Sequence, residues 1–207
     1  MKLLVLGATG ATGQQVVGQA LQAGHEVTAY VRNPSKLARE PGLRVAAGDA
    51  ADAGALERAL QDKDGVVSTL GRRRSFRSEQ LFSRSMKALA PPMERRGVRR
   101  LVLMSSFGVG ESLREAPPLL RLHYRVFLHG IFADKKAAED YLRTTRLEWT
   151  FVYPVILTDG PRTGQYRAGE RLELHGWPTI SRADVADFIL AELRNRAYIR
   201  KTVVLSY

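Results

Sequence analysis

Three groups of residues in this chain have types and spacings that could do chemistry. The first is a glycine triplet, Gly7, Gly10 and Gly13, interleaved with Thr9, Ala11 and Thr12. It follows the apolar run Leu3 to Leu6 and precedes Val16, Val17, Ala20 and Leu21, which repeat with helical spacing. A strand that passes through a glycine turn into a helix presents free N–H groups, at the positive end of the helix dipole, to an anion. Gly7 would allow the tight turn, Gly10 the approach of a pyrophosphate, and Gly13 the packing of helix on strand. The two threonines add hydroxyl donors. The spacing is GxxGxxG, where the commonest dinucleotide fingerprint is GxGxxG.

The second group is Arg32, Ser35 and Lys36, about 25 residues beyond the glycines. An NAD site places a carboxylate there to hold the adenosine ribose. A carboxylate would repel a 2′-phosphate, whereas a guanidinium, a hydroxyl and an ammonium would bind one. This favours NADP over NAD. The third group is the hydroxyl pair Ser105-Ser106, which follows the apolar run Leu101 to Met104. In an open α/β sheet it would lie beside the nicotinamide.

These groups need an alternation of strands and helices to bring them to one edge. Strands are expected at Leu3–Leu6, Glu26–Val31, Leu43–Ala47, Gly65–Gly71, Arg100–Met104, Glu148–Tyr153 and Lys201–Leu205. Helices are expected beyond the glycine turn, with Gly24 as C-cap, and over Ala53 to Leu60. Another starts near Ser78 and should break at Ala90, because Pro91 and Pro92 remove helical hydrogen bonds. An apolar helical pattern runs from Leu119 to Leu142, interrupted at Gly130, and a last helix starts at Ser181. Ser181 and Asp184 read there as a carboxylate variant of the capping box. The pattern specifies a Rossmann-like α/β fold, a doubly wound parallel sheet in a single domain of residues 1–207. A small C-terminal substrate-side portion covers about residues 155–180. Asp49 lies where it could accept from the adenine amino group, with Ala50 beside it. Asp49 or Asp52 could equally N-cap the helix at Ala53. Leu70 and Gly71 should border the cofactor, and Arg72 should begin the substrate rim.

Composition narrows the function classes. The chain has no cysteine, so thiol nucleophiles, disulfides and cysteine metal sites are excluded. The apolar start stops at Gly7, short of a signal peptide, and no stretch approaches the ~20 apolar residues of a membrane span. A cytoplasmic protein is expected. The formal net charge of +11 could indicate nucleic-acid binding. The excess arginines cluster at Arg72-Arg73-Arg74, Arg77, Arg84, Arg95-Arg96 and Arg99-Arg100, with only Phe76 and Phe82 near them as stacking platforms. A solvated face, or a rim attracting an anionic cofactor, explains them more simply. The four histidines, His25, His123, His129 and His175, show no metal-ligand spacing; His175 and Trp177 fall in the substrate-side portion.

A family resemblance rests on an ordered set of motifs. These are Gly7 to Gly13, Val31 to Lys36, Gly48-Asp49, Ser105-Ser106-Phe107-Gly108, Leu147 to Pro154, Thr158-Asp159-Gly160-Pro161 and Ile180 to Val185. They span nearly the whole chain. It resembles an atypical short-chain dehydrogenase/reductase of the NAD(P)-binding NmrA-like group, and within it the flavin reductase/biliverdin-IXβ reductase type. The resemblance implies NADP along the carboxyl edge of the sheet, reaching Tyr153, Pro154 and Val155.

The wider superfamily carries Tyr-x-x-x-Lys, with the Tyr as proton donor and the Lys on the nicotinamide ribose. Counting back from Ala137-Ala138-Glu139 puts the Lys at Lys135 and the Tyr position at Ile131. Shifting by one gives Lys136 and Phe132, and neither register has a phenol. The resemblance therefore implies hydride transfer to a conjugated small-molecule acceptor such as a flavin or quinone, which can take its proton from solvent. Ser106 and Lys135 are the expected catalytic residues. A non-catalytic NADP-sensing regulatory protein is the alternative.

Overall fold

A computed structural model of the chain describes residues 1–37, 40–71, 80–115, 121 and 129–207. The expected helix start near Ser78, Arg72 with its neighbouring arginines, Phe76, His123 and most of the first half of the Leu119–Leu142 pattern lie outside these residues.

The strands follow the apolar runs. β1 (Lys2–Leu6), β2 (Glu26–Val31), β3 (Leu43–Ala47), β4 (Gly65–Ser68), β5 (Arg100–Met104), β6 (Glu148–Pro154) and β10 (Lys201–Ser206) are all parallel. With β8 (Arg167–Gly169), antiparallel to β10, they form one sheet in the order β3-β2-β1-β4-β5-β6-β10-β8. Leu3 to Leu6, Val66, Val67, Leu101 and Val102 are fully buried, as expected for strands covered on both faces. A two-stranded parallel ribbon, β7 (Ile156–Thr158) with β9 (Thr179–Ser181), stands apart from the sheet.

Five helices are described. α1 (Ala11–Gln22) packs on α5 (Arg182–Asn195), and the Gln19 amide donates to the Ala183 carbonyl at 2.9 Å. α3 (Leu81–Arg95) packs on both α2 (Ala53–Ala59) and α4 (His129–Arg143). The chain runs outward from β1 through β2 and β3, then restarts at β4 on the other side of β1. That reversal is the point where open α/β sheets leave a crevice for a ligand. Thr69 closes it, donating its N–H and its hydroxyl to the Leu6 carbonyl.

Several elements correct the sequence reading. α3 does not break at Ala90. It runs through Pro91 and Pro92, because Met86, Leu89, Ala90, Pro92 and Met93 form one buried face. Packing outweighs the two missing hydrogen bonds, and the helix starts at Leu81. β4 ends at Ser68, not Gly71. α4 begins at His129, beside the interruption expected at Gly130. Pro154 belongs to β6. β7, β8 and β9, three residues each, carried no sequence signal.

Candidate functional site

The glycine loop has the geometry of an anion cradle. Gly7 adopts φ +80°, and a Cβ there would lie 2.6 Å from the Thr69 carbonyl oxygen. A Cβ on Gly13 would lie 2.1 Å from the Gly7 carbonyl oxygen, so the first turn of α1 sits against the loop. At Gly10 a Cβ would meet only the Gly7 oxygen, at 3.3 Å. Gly10 is the N-cap and no side chain caps it, so the N–H groups opening α1 are free of a side-chain acceptor. Thr9 is half-buried, Ala11 exposed and Thr12 buried. The residues present fit a pyrophosphate.

At the end of β2, Arg32 and Ser35 are exposed, and the Lys36 side chain lies outside the description. Asn33, which sequence reading passed over, caps the short turn. Its side-chain oxygen accepts from the Ser35 N–H at 3.0 Å and from the Ser35 hydroxyl at 2.7 Å. The hydroxyl must rotate off Asn33 before it can donate to a phosphate.

Asp52, and not Asp49, is the N-cap of α2, accepting from the Ala55 N–H at 3.0 Å. Asp49 is exposed and one of its carboxylate oxygens accepts from the Ala51 N–H, a local turn beside buried Ala50. Tyr30 holds this loop in place. Its hydroxyl donates to the Asp49 carbonyl, and its ring lies where a Gly48 Cβ would be.

The third cluster is at the carboxyl ends of β5 and β6, two strands from the glycine loop. Ser105 is buried and Ser106 half-buried. Lys135 of α4 is buried, and its Nζ donates to Ser106 Oγ at 2.6 Å while lying 5.1 Å from the Phe82 ring centroid. Burial pulls its pKa down to about 8, against the Glu139 charge. Lys136 is exposed and pairs with Asp140. Ile131 and Phe132 are half-buried.

Asp134 sets the pose of α4. Its two carboxylate oxygens accept from the Phe82 and Ser83 N–H groups at 3.0 Å each, capping α3, whose own Gln80 offers no side-chain cap. A charge at a helix N-terminus is favoured by the exposed N–H groups. Sequence reading missed this, because the two helices are joined only through space.

Tyr153, expected at the cofactor, uses its phenol elsewhere. It is 4% exposed and donates to Glu139 Oε2 at 2.6 Å, while Ser105 donates to Oε1 at 2.6 Å. Burial and the carboxylate push the phenol pKa up, so it stays protonated. Pro154 and Val155 are buried; the Val155 N–H donates to the Leu205 carbonyl. Leu70 is half-buried and Gly71 exposed past the end of β4.

At the start of α5, the Ser181–Asp184 box is half as expected. Ser181 Oγ accepts from the Asp184 N–H at 2.9 Å, but Asp184 does not reciprocate to the Ser181 N–H, which donates to the Tyr207 hydroxyl. The Asp184 carboxylate instead gathers the Thr163 N–H and hydroxyl, the Gly164 N–H, the Ser181 hydroxyl and the Tyr207 hydroxyl. Burial pushes its pKa up, but the Gly164 N–H, Tyr207 and Thr163 outweigh this and hold it low. This hub fixes the turn at 159–164, and Arg182 pairs with Asp159 at 2.6 Å. His175 and Trp177 are exposed, and so is His129. Among the described residues no group of three His, Cys, Asp or Glu side chains is arranged to hold a metal. No described helix is long and apolar enough to cross a membrane.

Known proteins resemble the chain throughout its length. The sequence profile of an NAD(P)H-binding family matches residues 7–196. The Bacillus subtilis protein YwnB is 28% identical over 94% of this chain and 93% of its own. A Streptomyces griseus (4-alkanoyl-5-oxo-2,5-dihydrofuran-3-yl)methyl phosphate reductase is 31% identical over 73% of this chain, which spans 46% of that longer protein. The solved structure of ChuY, an anaerobillin reductase from Escherichia coli O157:H7, superimposes with a TM-score of 0.82 at 25% identity, covering 99% of this chain and 96% of ChuY.

Proposed function

The chain belongs to the NAD(P)H-binding family, and from that premise we propose that it is an NADPH-dependent reductase of flavins, quinones or similar conjugated acceptors. The observation that carries the reading is the Lys135 ammonium held on Ser106 Oγ at 2.6 Å, at the sheet edge shared with the glycine loop. The reductase likenesses of the two named relatives support the reaction class.

NADPH, when bound, supplies a hydride. The chain's residues do the rest. The N–H groups opening α1 hold the pyrophosphate, with Gly10 leaving room for it. Arg32 and Ser35 would hold the 2′-phosphate, where the sequence also puts Lys36, and Asp49 with Ala50 would border the adenine. Lys135 would hold the nicotinamide ribose and Ser106 would orient the ring or the acceptor, with Leu70, Gly71 and the Tyr153–Val155 backbone around them. No phenol stands at Ile131 or Phe132, so the acceptor takes its proton from water, and catalysis comes from holding two flat rings together. The turn that Asp184 fixes closes the acceptor side.

Oxidation of NADPH against a panel of flavins, quinones and aldehydes tests this. Turnover with flavins or quinones and little with aldehydes is expected. Tight NADPH binding without oxidation by any acceptor would favour the NADP-sensing alternative, to which the missing phenol also points.

A further inference from the structure

Glu139 is 2% exposed, lies one helical turn from Lys135 on α4, and has no part in the mechanism above. Each of its oxygens is held by a hydroxyl from a different strand, Ser105 of the β5 end and Tyr153 of β6. Arg143, half-exposed over the Trp149 and Phe151 rings, approaches it at 3.6 Å. Burying a carboxylate this completely is costly unless its hydrogen bonds and neighbouring cations offset the lost water. Two hydroxyl donors and two cations make the charged form the one these surroundings favour, although burial pushes its pKa up.

Lys135 meets the opposite situation. Its ammonium has Ser106 just past β5 and the Phe82 ring from α3, and Met86, Met104 and Ala138 wall its surroundings. The other carboxylate near it, Asp134, is engaged with the α3 N–H groups. Among the described residues, Glu139 is the carboxylate whose charge offsets the burial of Lys135.

We propose that Glu139 is a positioning residue, anchored by Ser105 and Tyr153, that keeps the Lys135 ammonium charged and aimed at Ser106. The proposal rests on the reading of Lys135 as the cation of the cofactor site. Its consequence is a pH window. A lysine near 8 loses its charge just above neutrality, and removing its counter-charge moves that loss to lower pH.

The test is an NMR titration of Lys135 in protein carrying 13C-labelled lysine, with the signal assigned by its loss in Lys135→Met. In wild type the midpoint is expected at about 8. In Glu139→Gln, whose amide keeps the shape and can still bond both hydroxyls, it should fall by about one pH unit or more. Tyr153→Phe should move it the same way by less, and serves if the first variant does not fold. The pH at which NADPH affinity declines should move with the midpoint. An unmoved midpoint in Glu139→Gln, or in Tyr153→Phe if that alone folds, overturns the proposal. Failure of the underlying reading looks different: the wild-type Lys135 signal would ignore NADPH, whatever Glu139 does to its midpoint.

Discussion

The strand β5 carries a buried cation–glutamate cluster at each end, and the two are built differently. At its start, Arg100 and Glu192 are 3% and 2% exposed and pair directly at 2.8 Å. Arg100 also donates to the Glu148 carbonyl at 2.7 Å, and Glu192 accepts from the Thr150 hydroxyl and the Tyr198 N–H. Just past its end, Lys135 donates to Ser106 while Glu139 is held by Ser105 and Tyr153. In the first cluster the charges pair directly and tie β5, β6 and α5 together. In the second each charge is held by hydroxyls, and the cation stops at a half-buried serine at the carboxyl edge of the sheet. A closed pair is a structural tie. A pair held apart keeps a cation available.

The comparison breaks most visibly at the closed pair. Glu192→Ala leaves Arg100 buried without its counter-charge and should cost about 3–5 kcal/mol of stability, read by denaturant unfolding. The same assay on Lys135→Met should show little loss or a gain, because that change removes a poorly solvated charge. A large loss there would mean that the second cluster is a structural tie as well.

Activity should reverse the order. Lys135→Met should lower kcat/KM with a flavin acceptor on the order of a hundredfold or more, the scale of losing a well-placed catalytic group. A refolded Glu192 variant should keep its NADPH affinity. Arg32→Ala should weaken NADPH binding by about 1.5–3 kcal/mol, the scale of a charge-assisted contact, and leave NADH nearly unchanged. Equal effects on both cofactors would remove the 2′-phosphate assignment. The smallest effect is expected from Ser35→Ala, since its hydroxyl is already bonded to Asn33. A loss of NADPH affinity under about tenfold would fit the usual net value of one hydrogen bond.

Much of this was legible in the sequence, and the boundary has a physical cause. Gly7 and Gly13 announce a close approach because only glycine fits there, and β2, β3 and β5 match their expected ranges residue for residue. The register Lys135-Lys136-Ala137-Ala138-Glu139 separated a buried from an exposed lysine, since adjacent helix positions diverge by about 100°. What local pattern could not carry was contact between distant segments. Asp134 capping α3, Tyr153 turning to Glu139 and Asp184 gathering the 163–164 turn with Tyr207 all join residues with no common periodicity. The prolines of α3 misled because local propensity was weighed without the buried face that overrides it.

The most direct measurement is kcat/KM with one flavin acceptor against pH, for wild type and Ser106→Ala. In the proposed mechanism the Lys135 ammonium is the working form, so its contribution is full below about pH 8 and is lost as pH rises through that value. With the proton coming from water, wild type should show no titration between about pH 6 and 8 from a histidine acid and a decline above it. Ser106→Ala should run parallel, about tenfold lower. A fall of several orders of magnitude in the variant would make Ser106 a proton donor and contradict the account.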